Sequence, residues 1–296
     1  MRKNWHYLAA MQLVKRIVEG LLYSNIFIGV CAVALTFTNQ LTVGGEIHFD
    51  YSCWFIFAST IFTYSYLKVT SSGQNVYHTT HRNWAAENLQ LSRNILLISF
   101  LATACFFFLL DRSVKITVVI LAAVTAFYGF VQIPFTKPKI KLRDLGLLKT
   151  IFVAIVWSVT TVIVPLANDS VEPQMLVFLL LRRFLFLLAL TMVFEIKDME
   201  GDKENGLKTL PTAIGISNTK LLAQIILFVL MGIITVQYFF FEVSLSNMLA
   251  VNLSLLVSIF CIQPVNEKTQ DNWYYFVLDG MMIVQFIFVY IAAKFF

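Results

Sequence analysis

Apolar residues in this 296-residue chain come in blocks of roughly 20, the length at which a helix crosses a ~30 Å hydrocarbon core. Nine such blocks run at about 17–38, 52–69, 92–110, 114–133, 147–167, 175–196, 219–241, 246–263 and 273–294. A backbone in lipid must satisfy its own polar groups, so blocks of this length read as helices. The mean hydropathy of +0.76 with only 13% charged residues excludes an ordinary soluble domain. Connectors are short, leaving no room for a separate soluble unit. The expectation is an all-α, polytopic membrane protein: one domain over 1–296, with about nine transmembrane helices around a central cavity.

Basic residues orient the chain, because loops on the cytoplasmic side retain Lys and Arg. With the N-terminus inside, 17 of the 22 fall on inside segments and only Arg112, Lys115 and Lys294 outside. Arg182 and Arg183 fall within a span. The N-terminus is therefore expected to be cytoplasmic, and the net charge of +5 follows from this bias rather than from nucleic-acid binding. The first apolar run starts late, is long and lacks a small-residue cleavage pattern, so it reads as a retained helix. Cys31, Cys53, Cys105 and Cys261 have no ligand spacing and read as small packing residues.

Polar chemistry gathers in three inside connections, 68–91, 134–149 and 197–218. The third opens with Glu195-Ile196-Lys197-Asp198-Met199-Glu200-Gly201-Asp202-Lys203-Glu204, which holds five of the 17 acidic residues. Glu195, Asp198 and Asp202 are spaced i, i+3, i+7 and would share one face of a continuing helix. Three carboxylates on one stripe repel unless a cation sits among them, and Mg2+ commonly takes one or two carboxylates together with phosphate oxygens. The alternative is a solvated acidic collar balanced by Lys197, Lys203 and Lys208. Glu200 and Glu204 fall on a different helical face and are expected to be solvated.

The order Asp198-Met199-Glu200-Gly201-Asp202, Gly206, Thr209-Leu210-Pro211 and Gly215 resembles the second aspartate-rich motif of the UbiA superfamily of intramembrane prenyltransferases. The resemblance extends to span count, loop positions and length, and so covers nearly the whole chain. It implies transfer of a prenyl group from an isoprenyl diphosphate to a lipophilic, aromatic or quinone-like acceptor within the membrane. It further implies Mg2+ on Asp198 and Asp202, with Glu195 in a place often held by aspartate. By position, Asn25 in the first span would line the pocket, and Tyr128 and Lys137, with Lys139, Lys141 and Arg143, would lie near the diphosphate. The implied setting is the cytoplasmic membrane of a bacterium, with the site facing the cytoplasm and lipid as its surroundings.

The family's first aspartate-rich motif has no acidic equivalent here, since no carboxylate lies between Asp50 and Glu87. Hard dications need anionic oxygen, so a single Mg2+ is expected rather than a full cluster. Lys68, Asn75 and Arg82 would then help to bear the diphosphate, and His78 and His81 could donate to it when protonated. Two other readings stay open: a protein that has lost catalysis and binds an isoprenoid lipid or a membrane partner, and one that runs another reaction on a hydrophobic substrate. Within the spans, Arg182 and Arg183 lie 15 to 16 positions before Asp198, roughly 22–24 Å along a helix. An outer-side salt bridge or snorkelling is expected of them, and helix-to-helix contact of Asp279.

Overall fold

In the computed structural model, residues 18–71, 84, 87–130, 146–204, 206–241 and 243–295 are described. They are helical, with no strand among them. In chain order the long helices are α1 (Ile26–Val43), α2 (Tyr51–Ser71), α3 (Leu89–Leu109), α4 (Arg112–Phe130), α5 (Gly146–Leu166) and α6 (Pro173–Phe194). A 3₁₀ turn, Glu195–Asp198, and the short α7 (Met199–Glu204) follow, then α8 (Leu210–Phe240) and α9 (Leu245–Ile262). A π-helical segment, Trp273–Leu278, runs into α10 (Asp279–Phe295).

Seven of these helices are long and apolar enough to cross a membrane. α2 and α4, of 21 and 19 residues, stand beside them with a lower mean hydropathy. Two of the seven exceed what a bilayer needs, and each carries its own break. The continuous run Pro173–Glu204 has 32 residues, roughly 48 Å at ~1.5 Å per residue. Only its first 22 residues, α6, are needed to cross; the 3₁₀ turn marks the exit, so 195–204 lie beyond the span. α8 has 31 residues and is interrupted at Gly215, whose φ of 81° and ψ of 164° suit glycine almost alone. The Thr209 side chain and Thr212 form a reciprocal capping box at its start.

Helices run alternately up and down. Connectors 44–50, 110–111, 167–172 and 243–244 gather at one end, tied by Asn168 Nδ2 donating to Asp111 at 2.5 Å and Ser113 Oγ to Asn168 at 2.8 Å. The acidic segment and 263–272 gather at the other, where Lys220 donates to the Val265 carbonyl at 2.8 Å. Spans this apolar tolerate Ser and Thr because the hydroxyls donate back to carbonyls four residues earlier, as Thr38 does to Ala34 and Ser158 to Ala154.

α1 and α6 form the middle of the bundle. Cys31, Leu35, Thr36, Thr38 and Asn39 on α1 are fully buried, as are Leu179, Ala189 and Val193 on α6. The periphery is apolar and exposed: Ile98, Phe108, Phe239, Phe260 and Phe295 all face outward. Such a belt matches hydrocarbon rather than water. All four cysteines are free; Cys31 and Cys53 pack in the interior, whereas Cys105 is exposed and so is no packing residue. Asp279 sits where the π segment passes into α10, and its carbonyl accepts from Cys31 on α1 at 3.3 Å.

Because nothing lies within 4 Å of a Cβ built at Gly215 or Gly232, the two differ only in backbone conformation. Gly215→Ala is expected to destabilise the protein by about 1–3 kcal/mol. Gly232→Ala, on regular helix, is expected to be neutral or stabilising by about 0.5–1 kcal/mol. Thermal unfolding of the two variants in detergent checks this; equal midpoints would refute the strain at Gly215.

Candidate functional site

Tightening of the helix after Phe194 builds the acidic end of the bundle. The stripe is not the single α-helix that i, i+3, i+7 spacing suggests. Across Glu195–Asp198 the turn is 3₁₀, with three residues per turn, which places Glu195 and Asp198 one above the other. α7 then brings Asp202 back into the same electrostatic neighbourhood, where it feels both Asp198 and Glu195. Glu200, Lys203 and Glu204 point outward and are exposed, as their positions on the other face imply.

Two lysines stand among the three carboxylates. Lys149, in the first turn of α5, reaches Glu195 Oε1 at 3.1 Å, and Lys197 reaches Asp198 Oδ1 at 2.6 Å. Glu195 and Lys197 are deeply buried, Lys149 half exposed and Asp198 partly so. Lys197 is further held over the rings of Phe194 and Tyr275, each 5.6 Å from its Nζ. Lys197 is therefore part of the interior of the site and not a solvated counter-charge, and Lys149 is a second cation of the site. One oxygen on each of two carboxylates stays unused: Glu195 Oε2 and Asp202 Oδ2 are buried with no hydrogen-bond partner. Burial pushes the Asp202 carboxyl up to about 6, more than Lys149 and a hydrogen bond with Thr209 can offset. Among the described residues no three Asp, Glu, His or Cys side chains are grouped to hold a metal ion.

Close packing of backbone fixes the loop that follows. A Cβ at Gly146, the first residue of α5, would stand 2.5 Å from Thr209 Cα and 2.6 Å from the Lys208 carbonyl oxygen. Glycine here lets the 207–209 backbone lie on the start of α5, one turn from Lys149. Gly206, with φ of 67°, turns the chain into that contact.

A ring of aromatics links the acidic segment to α1 and α2. Tyr275 packs against Phe194 at 5.3 Å and Tyr23 at 6.5 Å, and Tyr23 against Trp84 at 5.9 Å. Lys68, near the end of α2, donates to the Tyr23 carbonyl and lies 4.7 Å over Trp84. Asn25, left-handed with φ of 65°, donates to Ser65 Oγ at 2.9 Å and joins α1 to α2. Lys68 and Asn25 thus lie at the same end as the carboxylates, with Trp84, Tyr23 and Tyr275 between Lys68 and Lys197. The π segment serves two sides. Tyr274 and Tyr275 face Phe194, while Trp273, Phe276 and Val277 line a cavity of about 440 Å³ with Val18 and Leu22. Tyr128 falls in the last turn of α4, where only its backbone is described. Asn75, His78, His81, Arg82, Lys137, Lys139, Lys141 and Arg143 lie outside the described residues.

The family model of the UbiA prenyltransferase family matches residues 72–282. The chain belongs to the UbiA prenyltransferase family. Its fold is shared with a UbiA homologue from Archaeoglobus fulgidus bound to GPP and Mg2+, at a TM-score of 0.63 and 9% identity over 93% of this chain and 99% of that one. The same homologue bound to DMAPP and Mg2+ gives 0.61 at 9% identity, over 94% of this chain and 100% of that one. A UbiA homologue from Aeropyrum pernix K1 without ligand gives 0.56, again at 9% identity, over 93% and 97%. Identity this low carries the fold alone. No curated protein matches the chain. Within this UbiA protein Asp198, Asp202 and Glu195 lie at the same end of the bundle.

Gly146→Ala is expected to push the 207–209 backbone off α5, at a cost of about 1–3 kcal/mol for an overpacked contact. The lysine–glutamate pair one turn away should loosen with it. Thermal unfolding and accessibility of a cysteine placed at Lys208 check this, and an unchanged midpoint with unchanged accessibility would refute the close approach.

Proposed function

We propose that this protein transfers a prenyl group from an isoprenyl diphosphate to a lipophilic, aromatic or quinone-like acceptor inside the membrane. The observation that carries the reading is the pair of orphaned buried oxygens, Glu195 Oε2 and Asp202 Oδ2, in a family motif that also presents Asp198. Anionic oxygens without donors are what a hard cation seeks. Two carboxylates suffice for Mg2+ when phosphate oxygens complete its shell, so the donor set fits a single ion on Asp198 and Asp202 with Glu195 beside them. Bound there, Mg2+ would offset the charge of the diphosphate.

The remaining chemistry falls to the chain's own side chains. In the transfer the C1–O bond of the donor breaks, its electron pair leaves with diphosphate, a bond forms from the acceptor to C1, and the acceptor's proton passes to the departing diphosphate. Lys149 and Lys197 add positive charge where the leaving group departs. Lys68, Asn75, Arg82, Tyr128 and Lys137 are proposed on the diphosphate side, Asn25 toward the pocket. The rings of Phe194, Tyr274 and Tyr275 offer π faces to a developing allylic cation. The proposed architecture is one domain with nine spans, α2 and α4 included, around a cavity that opens to the cytoplasm, with the N-terminus on that side. Seventeen basic residues on the inside segments support this orientation.

One observation favours a second reading, binding of an isoprenoid lipid without turnover. Glu195 and Asp198 each already have a lysine partner, which leaves less negative charge for a cation.

Membranes containing the protein are expected to convert labelled prenyl diphosphate in the presence of Mg2+. Asp198→Asn should abolish turnover, and Glu195→Gln should lower metal affinity by about 10- to 100-fold, as loss of a supporting carboxylate commonly does. No conversion of donors from ten to 20 carbons, across phenolic and quinone-like acceptors, would favour the binding reading.

A further inference from the structure

Far from the acidic end, α6 carries two adjacent arginines with no acid beside them. Arg182 and Arg183 are 4% and 3% exposed, so neither snorkels to a surface. The expected outer-side salt bridge does not form among the described residues: every partner is neutral. Arg182 donates to Gln237 at 3.3 Å and Thr42 at 3.2 Å. Arg183 donates to Gln285, the Leu35 carbonyl and Asn39, each at 2.9 Å. These oxygens from α1, α8 and α10 supply dipoles, but they cancel no formal charge. Two like charges are thus buried side by side in a lipid-embedded bundle, where an unpaired charge is most costly.

One donor is left over. Arg183 Nε, fully buried, has no hydrogen-bond partner. A guanidinium N–H without an acceptor, next to a second guanidinium, is a place for negative charge. Its charge is bounded by burial: an ion held among side chains 3–4% exposed sheds its hydration, which costs a multiply charged phosphate or headgroup far more than a monovalent ion. We propose that Arg182 and Arg183 bind a small monovalent anion of halide size beside Arg183 Nε. The ion neutralises the interior of the bundle and ties α6 to α1, α8 and α10. The site is independent of the acidic end and of prenyl transfer, so its test does not depend on turnover.

The full chain, purified in detergent, is unfolded by heat in sodium chloride or sodium bromide and in sodium gluconate at the same ionic strength. A halide should raise the midpoint by a few degrees over gluconate, with a saturating dependence on concentration, because a ligand of the folded state stabilises by mass action. Arg183→Gln should lose that dependence. Arg183→Lys, which keeps the charge but removes the Nε donor, should weaken it. Bromide soaked into crystals of the unaltered protein should give an anomalous peak beside Arg183 Nε, which keeps the test open if both variants fail to fold. Equal midpoints in halide and gluconate, a halide effect unchanged in both variants, or crystals without a bromide peak at Arg183 would each overturn the site.

Discussion

Charge buried among packed helices must be compensated locally, since bulk water is excluded from it, and this constraint organises the polar chemistry of the chain. At the acidic end, Lys149 pairs with Glu195 at 3.1 Å and Lys197 with Asp198 at 2.6 Å, so two of the three carboxylates have a cation beside them. In low dielectric those pairs are strong, yet each ion is desolvated first, and such pairs often contribute little net stability. Their weight lies in specificity. Lys149 holds the start of α5 to the exit of α6, and Lys197 is pinned between Phe194 and Tyr275. Far along α6, neutral oxygens around Arg182 and Arg183 supply dipoles but no opposite charge.

The backbone irregularities follow the same division of labour. Regular helix is all the bilayer demands, and most of its interruptions lie at the acidic end: the left-handed Asn25, the 3₁₀ turn at Glu195–Asp198, the positive φ of Gly206 and Gly215, and the π segment; Gly45, also of positive φ, and Pro165 lie at the other end. Irregular backbone at a membrane protein's interior persists where it is buried in protein or lines a cavity. π-helical segments concentrate at functional sites in the same way. Here the π segment turns Tyr274 and Tyr275 toward the acidic segment and Trp273, Phe276 and Val277 toward the cavity.

Much of this was legible in the sequence, for identifiable reasons. Block length and hydropathy announce helices because lipid permits little else, and the motif from Asp198 to Gly215 points to the family. What the pattern could not show was the pairing. Periodicity treats Lys197 as a residue on the solvent side of the acidic stripe, but the switch to 3₁₀ and the aromatic faces of Phe194 and Tyr275 turn it inward. Lys149 lies 46 positions before Glu195, and no local rule links them. For Arg182 and Arg183 the rule that buried arginines seek acids failed, because neutral Gln and Asn on other helices give no charge pattern to read. Gly146 was silent for a similar reason: its role depends on where Thr209 arrives in space.

The lysines also bear on the missing first aspartate-rich motif. In a two-part site built from carboxylates on both sides, two dications offset both the diphosphate and the acids. This chain has no carboxylate from 51 to 86. A site with fewer acids needs fewer cations to reach the same balance with diphosphate bound. Fixed lysines at Lys149 and Lys197, with Lys68 at the same end, supply part of that positive charge from the chain itself. Under the proposed function, the absence of acids from 51 to 86 and the interior lysines would be parts of a single electrostatic arrangement. Ammonium groups cannot be removed by a chelator, so they would leave the charge of the site less dependent on metal than a site made of carboxylates alone.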